Sequence, residues 1–215
     1  MEHLLPLKVE YLLMFGTALF WTIVYILVIY KGLKDQTCGM PLPSICANIT
    51  WEFLFTFLLP FHPLQQVVTL VWFLLDCIIL LQYFFYSKKL YPQPVLIASV
   101  FSLLVIALLL HIGIAVEFQD KWGIYSAFGI NLLMSILFIQ MLLKKGMQGQ
   151  SRSIAFFKLA GTLCASLFSY LLFPHSFLLP ILYVLIFILD AAYLLMISQQ
   201  SIRTVHKSPP SMKAI

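Results

Sequence analysis

Charge is scarce in this chain. Of 215 residues only 13 are Lys or Arg and 8 are Asp or Glu, while 62% are hydrophobic, and the mean hydropathy is +0.99. An ordinary globular chain carries about a quarter charged residues, so the shortage excludes a soluble domain. The apolar stretches run from one end to the other, which also excludes a soluble domain on a single anchor. The net charge is +5, but no five basic residues are consecutive, and a nucleic-acid surface is not expected. Cysteine is equally sparse: the chain has four and no CxxC pair, and Cys46, Cys77 and Cys164 fall inside apolar segments. That excludes a disulfide framework and a zinc site. The start, Met1-Glu2-His3, lacks a basic stretch, and no small-residue cleavage site follows the first apolar run, which is expected to stay in the mature protein.

What is present is hydrocarbon in lengths suited to a bilayer. A crossing helix needs about 20 predominantly apolar residues, and seven segments supply them, at 11–31, 41–60, 64–86, 94–117, 122–143, 153–173 and 177–198. The expected fold is therefore an all-α polytopic membrane protein, a seven-helix bundle filling residues 1–200. A basic, disordered cytoplasmic tail over 201–215, containing Ser208-Pro209-Pro210-Ser211, follows it. Ten bases lie in one set of loops (Lys31, Lys34, Lys88, Lys89, Lys144, Lys145, Arg152, Arg203, Lys207 and Lys213), against two, Lys8 and Lys121, in the other. The positive-inside rule puts the N-terminus outside or in a lumen and the C-terminus in the cytoplasm. A shift of 114 residues lays Phe73-Leu74-Leu75-Asp76 on Phe187-Ile188-Leu189-Asp190, and Lys31-Gly32 on Lys145-Gly146. This weak repeat suggests two parallel three-helix units joined by span four.

Three acids and one base remain inside the hydrocarbon: Glu52, Asp76, Asp190 and Lys158. At 1.5 Å per residue the acids lie roughly 16, 15 and 12 Å from the basic ends of their spans, close to one depth near the midplane. Such groups are costly in lipid and face a bundle interior. Residues four apart share a helix face, which extends the acids into stripes: Ser44, Asn48, Glu52 and Thr56; Thr69, Trp72, Asp76 and Tyr83; Tyr183, Asp190 and Tyr193. Span six adds Lys158, Thr162, Ser166 and Ser169, and span five adds Asn131 and Ser135. Five helices thus aim polar groups at one cavity. Asn131, Ser135 and Ser166 read as interhelical hydrogen bonds. Asp76 stays open between a functional group and a structural one paired with Lys158 or bonded to Trp72. His111, between Leu110 and Ile112, reads as a packing residue.

A carboxyl in a dry site tends to hold its proton and can act as a general acid. Aromatic faces such as Trp51, Trp72 and Tyr193 can stabilise a cation. Together they suit proton-initiated cyclisation of a lipophilic polyene, and equally a proton-coupled small-solute transporter, whose acids would load and release protons. A noncatalytic scaffold accounts for the spans but not for three midplane acids.

Gly39-Met40-Pro41 with Asn48 and Trp51-Glu52, then Gly149-Gln150-Ser151, Ala155, Lys158 and Gly161-Thr162, then Asp190 with Tyr193, resemble in order the motifs of the membrane-integral terpene cyclases of fungal meroterpenoid and indole-diterpene pathways, which have bacterial relatives. The resemblance implies an isomerase- or lyase-like enzyme that protonates a terminal epoxide or alkene of a prenylated substrate within the membrane, without metal or cofactor. It makes Glu52 and Asp190 the essential acids. Asn48, Trp51, Trp72, Asp76, Lys158, Thr162 and Tyr193 are the expected supporting or substrate-binding residues. The sequence has no DDxxD cluster of the kind soluble ionisation-dependent terpene synthases use, and no DxDD acid motif. Membrane lipid and the prenylated substrate are the expected partners, with no obligate protein partner. A transporter of the PQ-loop kind has its Pro-Gln pair in both triple-helix units, whereas Pro92-Gln93-Pro94 occurs here once.

Overall fold

The computed structural model describes residues 7–207. It contains seven α-helices: α1 (Leu7–Asp35), α2 (Leu42–Phe53), α3 (Pro63–Ser87), α4 (Gln93–Glu117), α5 (Ile124–Lys145), α6 (Arg152–Leu172) and α7 (Leu178–Lys207). No strand is present among the described residues. All but α2 are long and apolar enough to cross a bilayer, as expected of a multi-pass integral membrane protein.

The second span departs from expectation. Instead of one helix over 41–60, α2 passes at Phe53 into a π-helical turn, Leu54–Leu58, in which the Leu59 N–H reaches back five residues to the Leu54 carbonyl at 2.8 Å. Gln66 Nε2 donates to the Thr56 carbonyl at 2.9 Å, and the Thr56 hydroxyl donates to Thr69 Oγ1 at 2.8 Å, so α3 supplies partners where the ladder is disturbed. Pro60 then follows, where a helical N–H would be needed. At the far end of the chain α7 continues to Lys207, into the stretch 201–215 expected as a tail; residues 208–215, including the Ser-Pro-Pro-Ser sequence, lie outside the described residues.

Local signals set the other ends. Ser151 Oγ accepts the Ile154 N–H at 3.2 Å to cap α6, and His62 Nδ1 accepts the Leu64 N–H at 3.3 Å ahead of Pro63 at the start of α3. The basic-loop ends are drawn together by Asp35, which pairs with Lys31 at 2.8 Å and accepts the Gly149 N–H at 2.8 Å. Gly149 has φ +73°, and a Cβ there would stand 3.0 Å from Gly39 Cα. Two of the separated motif fragments therefore meet at one glycine-glycine contact.

Helix α3 packs against α1 and α2, α7 packs against α5 and α6, and an extensive α1–α6 contact joins the two groups, while α4 lies on α2 and α5. Because lipid is as apolar as leucine, close packing rather than hydrophobic segregation holds such helices together. At the α1–α6 contact a Cβ on Gly16 would meet Cys164 Sγ at 3.0 Å, and one on Gly161 would meet Trp21 Cδ1 at 2.8 Å. Apolar residues such as Leu12, Phe101 and Val116 face outward, and polar ones such as Asn48, Asn131 and Thr162 are buried. Overpacking of this kind costs about 1–3 kcal/mol. Gly161→Leu is therefore expected to lower the thermal unfolding midpoint in detergent, where Leu109→Ala on the lipid-facing side of α4 leaves it nearly unchanged.

Candidate active site

The interior polar residues fall into two clusters rather than one. The first lies where α1, α2 and α3 meet. Tyr25 on α1 donates its hydroxyl to Glu52 Oε1 at 2.9 Å and accepts from Asn48 Nδ2 at 2.9 Å. Asp76 on α3 stands alongside, within reach of Asn48, Tyr25 and Glu52. Yet neither Asp76 oxygen, nor Glu52 Oε2, has a donor of ordinary hydrogen-bond geometry among the described residues. Glu52 is 1% exposed and Asp76 0%, so no bulk water serves them.

The second cluster joins α5, α6 and α7. Lys158 Nζ donates to Asp190 Oδ1 at 2.6 Å, to Ser135 Oγ at 2.7 Å and to Asn131 Oδ1 at 2.9 Å. All three N–H donors of the ammonium are thereby used. Asn131 Nδ2 passes the chain on to Thr162 Oγ1 at 2.9 Å, and the Trp21 ring lies 5.8 Å from Nζ. Lys158 thus pairs with Asp190, not with Asp76, and Trp72 Nε1 donates to Thr22 Oγ1 at 3.0 Å, so neither structural partner considered for Asp76 holds it.

Between the clusters is a cavity of about 440 Å³, a size typical of small-molecule sites. Trp21, Trp51, Trp72 and Met134 form much of its wall, and Tyr25, Asn48, Glu52 and Asn131 are among the polar residues that reach it. Among the described residues, Glu52 is the only carboxylic side chain on the wall. Asp76, Lys158, Thr162 and Asp190 stand behind it. Tyr193, expected to contact substrate, is turned away: its hydroxyl donates to Gln150 Oε1 at 2.8 Å and its ring packs on Phe138. His111 Nε2 lies 3.0 Å from the Ala47 carbonyl, a packing contact between α4 and α2.

Sequence reasoning missed Trp21 and Tyr25. The signal was available, since Thr17, Trp21 and Tyr25 line the cavity at spacings of four, the same rule that exposed the other stripes. Trp51 is fixed by donation of Nε1 to the Gly123 carbonyl at 2.9 Å. The loop carrying Gly123 is held by Asp120, whose carboxylate accepts the Tyr125 N–H at 2.7 Å. Burial pushes the Asp120 carboxyl above the usual range, against the backbone N–H groups that draw it down. Among the described residues no three His, Cys, Asp or Glu side chains gather as metal ligands would.

The family model for Pyr4-like transmembrane terpene cyclases matches residues 3–200. The chain is 27% identical over 193 residues to the Pyr4-family terpene cyclase mfmH of Annulohypoxylon moriforme, covering 85% of this chain and 80% of that one. It is 30% identical over 160 residues to terpene cyclase macJ of Penicillium terrestre, covering 70% and 62% respectively. With terpene cyclase pyr4 of Aspergillus fumigatus the identity is 24% over 165 residues, covering 72% and 68%. No solved structure matches.

Removing one member of a buried ion pair strands the other, at a cost of about 3–5 kcal/mol, whereas replacing both by apolar groups is often neutral. Lys158→Met and Asp190→Leu are each expected to destabilise the bundle strongly. Combining them should recover much of the loss, and a thermal-melt double-mutant cycle in detergent measures the coupling.

Proposed function

The chain belongs to the Pyr4-like transmembrane terpene cyclases, and on that premise we propose that it cyclises a prenylated, lipophilic substrate inside the membrane by metal-free proton transfer, with Glu52 as the acid. The observation that carries this reading is the placement of the Glu52 carboxyl on the wall of an aromatic cavity, held by Tyr25 and backed by Asp76. Two adjacent carboxyls in a dry site do not both ionise. With both carboxyls protonated at rest, Asp76 keeps its proton when Glu52 gives up the other, and the pair is never doubly ionised.

In this mechanism the substrate folds against Trp21, Trp51 and Trp72 with its terminal epoxide or alkene at Glu52. Glu52 gives its proton to the epoxide oxygen or the alkene carbon. Each successive alkene then uses its π electrons to form a ring carbon–carbon bond, and the positive charge moves along the chain past the indole faces, which stabilise it. Loss of a proton from the last cation ends the cascade, so the product is an isomer of the substrate, and the released proton returns to Glu52. Tyr25 and Asn48 orient Glu52. Asp190 acts through Lys158 and Asn131, which reaches the wall; it is a positioning residue rather than a second donor. Thr162 completes that chain.

Family membership sets terpenoid cyclisation ahead of solute transport. The packing of α3 between α1 and α2, and of α7 between α5 and α6, supports two parallel three-helix units joined by α4, with Asp76 and Asp190 as equivalent positions. The charge count supports an external or lumenal N-terminus.

The test is expression in a host lacking such cyclases, with prenylated candidates supplied with and without a terminal epoxide and products analysed by mass spectrometry. A positioned general acid contributes about 10²–10⁴-fold. Glu52→Gln, nearly isosteric, is expected to lose turnover by that factor while the protein remains folded. Turnover of Glu52→Gln at the native rate overturns the assignment.

A further inference from the structure

A cavity in a membrane protein can be reached from water at either end or from lipid at the side, and its walls distinguish these routes. The residues contributed by α2 and by α5 are covered: Asn48, Trp51 and Glu52 are buried, as are Phe128, Ile130 and Met134. Among the described lining residues the two that are also well exposed on the outer surface are Phe15 of α1, at 63%, and Leu64 of α3, at 43%. Both lie on the half of the bundle that carries the 59–62 and 118–123 loops, away from the basic loops.

Along residues 13–35 of α1, the polar and aromatic links to α3 lie further down. Among the described residues, the hydrogen bonds and ring contacts linking residues 13–35 of α1 to α3 begin at Thr22 with Trp72, at 3.0 Å, and at Tyr25 with Trp72, ring to ring at 6.1 Å. They continue at the Ile29 carbonyl with Gln82, at 2.9 Å. The water-facing end above the cavity is instead filled by Trp122. Its ring stacks on His62 at 5.6 Å, meets Phe61 at 4.9 Å and meets Phe168 at 6.2 Å, while its carbonyl accepts from Gln65 Nε2 at 3.1 Å. One end is thus roofed with aromatic rings, and one side shows hydrocarbon on both edges.

We propose that the gap between α1 and α3, edged by Phe15 and Leu64, is the lateral port through which the prenyl chain passes from the bilayer into the cavity. The identity of the traveller rests on the cyclase reading; the position of the port rests on the walls. Phe15, Leu64 and Val68 offer nothing to a hydrated headgroup and match the hydrocarbon in which a prenylated substrate dissolves. A chain sliding in here meets Trp72 and then Glu52, so its free prenyl terminus arrives first at the acid and its polar head is left toward the Gln65 and Trp122 end.

A reversible block tests the port. Leu64→Cys and, as a lipid-facing control on α4, Leu109→Cys are placed in liposomes and treated with a bulky methanethiosulfonate reagent, which dithiothreitol removes. Wild-type protein treated in the same way controls for Cys77 and Cys164. Two rates are read: turnover of a bilayer-dissolved prenylated substrate, and photolabelling of the cavity by a diazirine-bearing prenylated phenol. Both are expected to fall about tenfold in treated Leu64→Cys, to return with the reductant, and to be unchanged in treated Leu109→Cys. Undiminished photolabelling in treated Leu64→Cys overturns the port, as does a reversible loss that appears on modifying Trp122→Cys instead. If blocked labelling at Leu64→Cys accompanies a wild type that cyclises none of the prenylated candidates, the port stands and the cyclase reading falls.

Discussion

A lysine ammonium in hydrocarbon must have all of its hydrogen bonds made by protein, because no water is there to make them. Lys158 meets that constraint with Asp190, Ser135 and Asn131, and in doing so fixes α5, α6 and α7 relative to one another. Trp21 lies over the same group from α1, so the interface with the greatest helix–helix contact, α1 against α6, is built around this charge. Gly161, one turn along from Lys158, lets α1 come close enough for that to happen.

The second consequence is a division of labour. In the α5–α7 cluster every Lys158 donor is used and the charge is paired, with one Asp190 oxygen left over; the α1–α3 cluster leaves three carboxyl oxygens without a donor and faces the cavity. An acid needs the second condition and a scaffold needs the first. Placing them on opposite sides of a cavity walled by indole rings puts the Glu52 carboxyl where electrostatic interactions are least screened, while the Lys158–Asp190 pair keeps the opposite wall in place through Asn131.

Much of this was legible in the sequence, because hydrocarbon forces polar residues inward and makes each one informative. The seven apolar segments, the common depth of the acids and the polar stripes all follow from counting along a helix. Depth, however, is one coordinate of three. It brought Asp76 and Asp190 equally near Lys158, and only the packing of α6 against α7 decided between them. Tyr193 shares a face with Asp190 by spacing, but spacing does not show that its hydroxyl is taken by Gln150 in a loop before α6. Trp21 and Tyr25 escaped notice because the first span holds no midplane charge to direct attention to them. The second span was read as too long because hydropathy does not register the change of ladder at Leu54, which depends on side chains from α3.

That short second helix bears on the membrane itself. Leu42–Leu58 is about 25 Å long at 1.5 Å per residue, against about 30 Å for a typical hydrocarbon core, and Phe57, Leu58 and Leu59 at its end are exposed. A bilayer adapts to such a shortfall by thinning, at a cost of a fraction of a kcal/mol per Å. The other six helices are long enough to cross a typical core, so the thinning is local to α2, and lipid thickness becomes a variable that acts on the helix carrying Glu52.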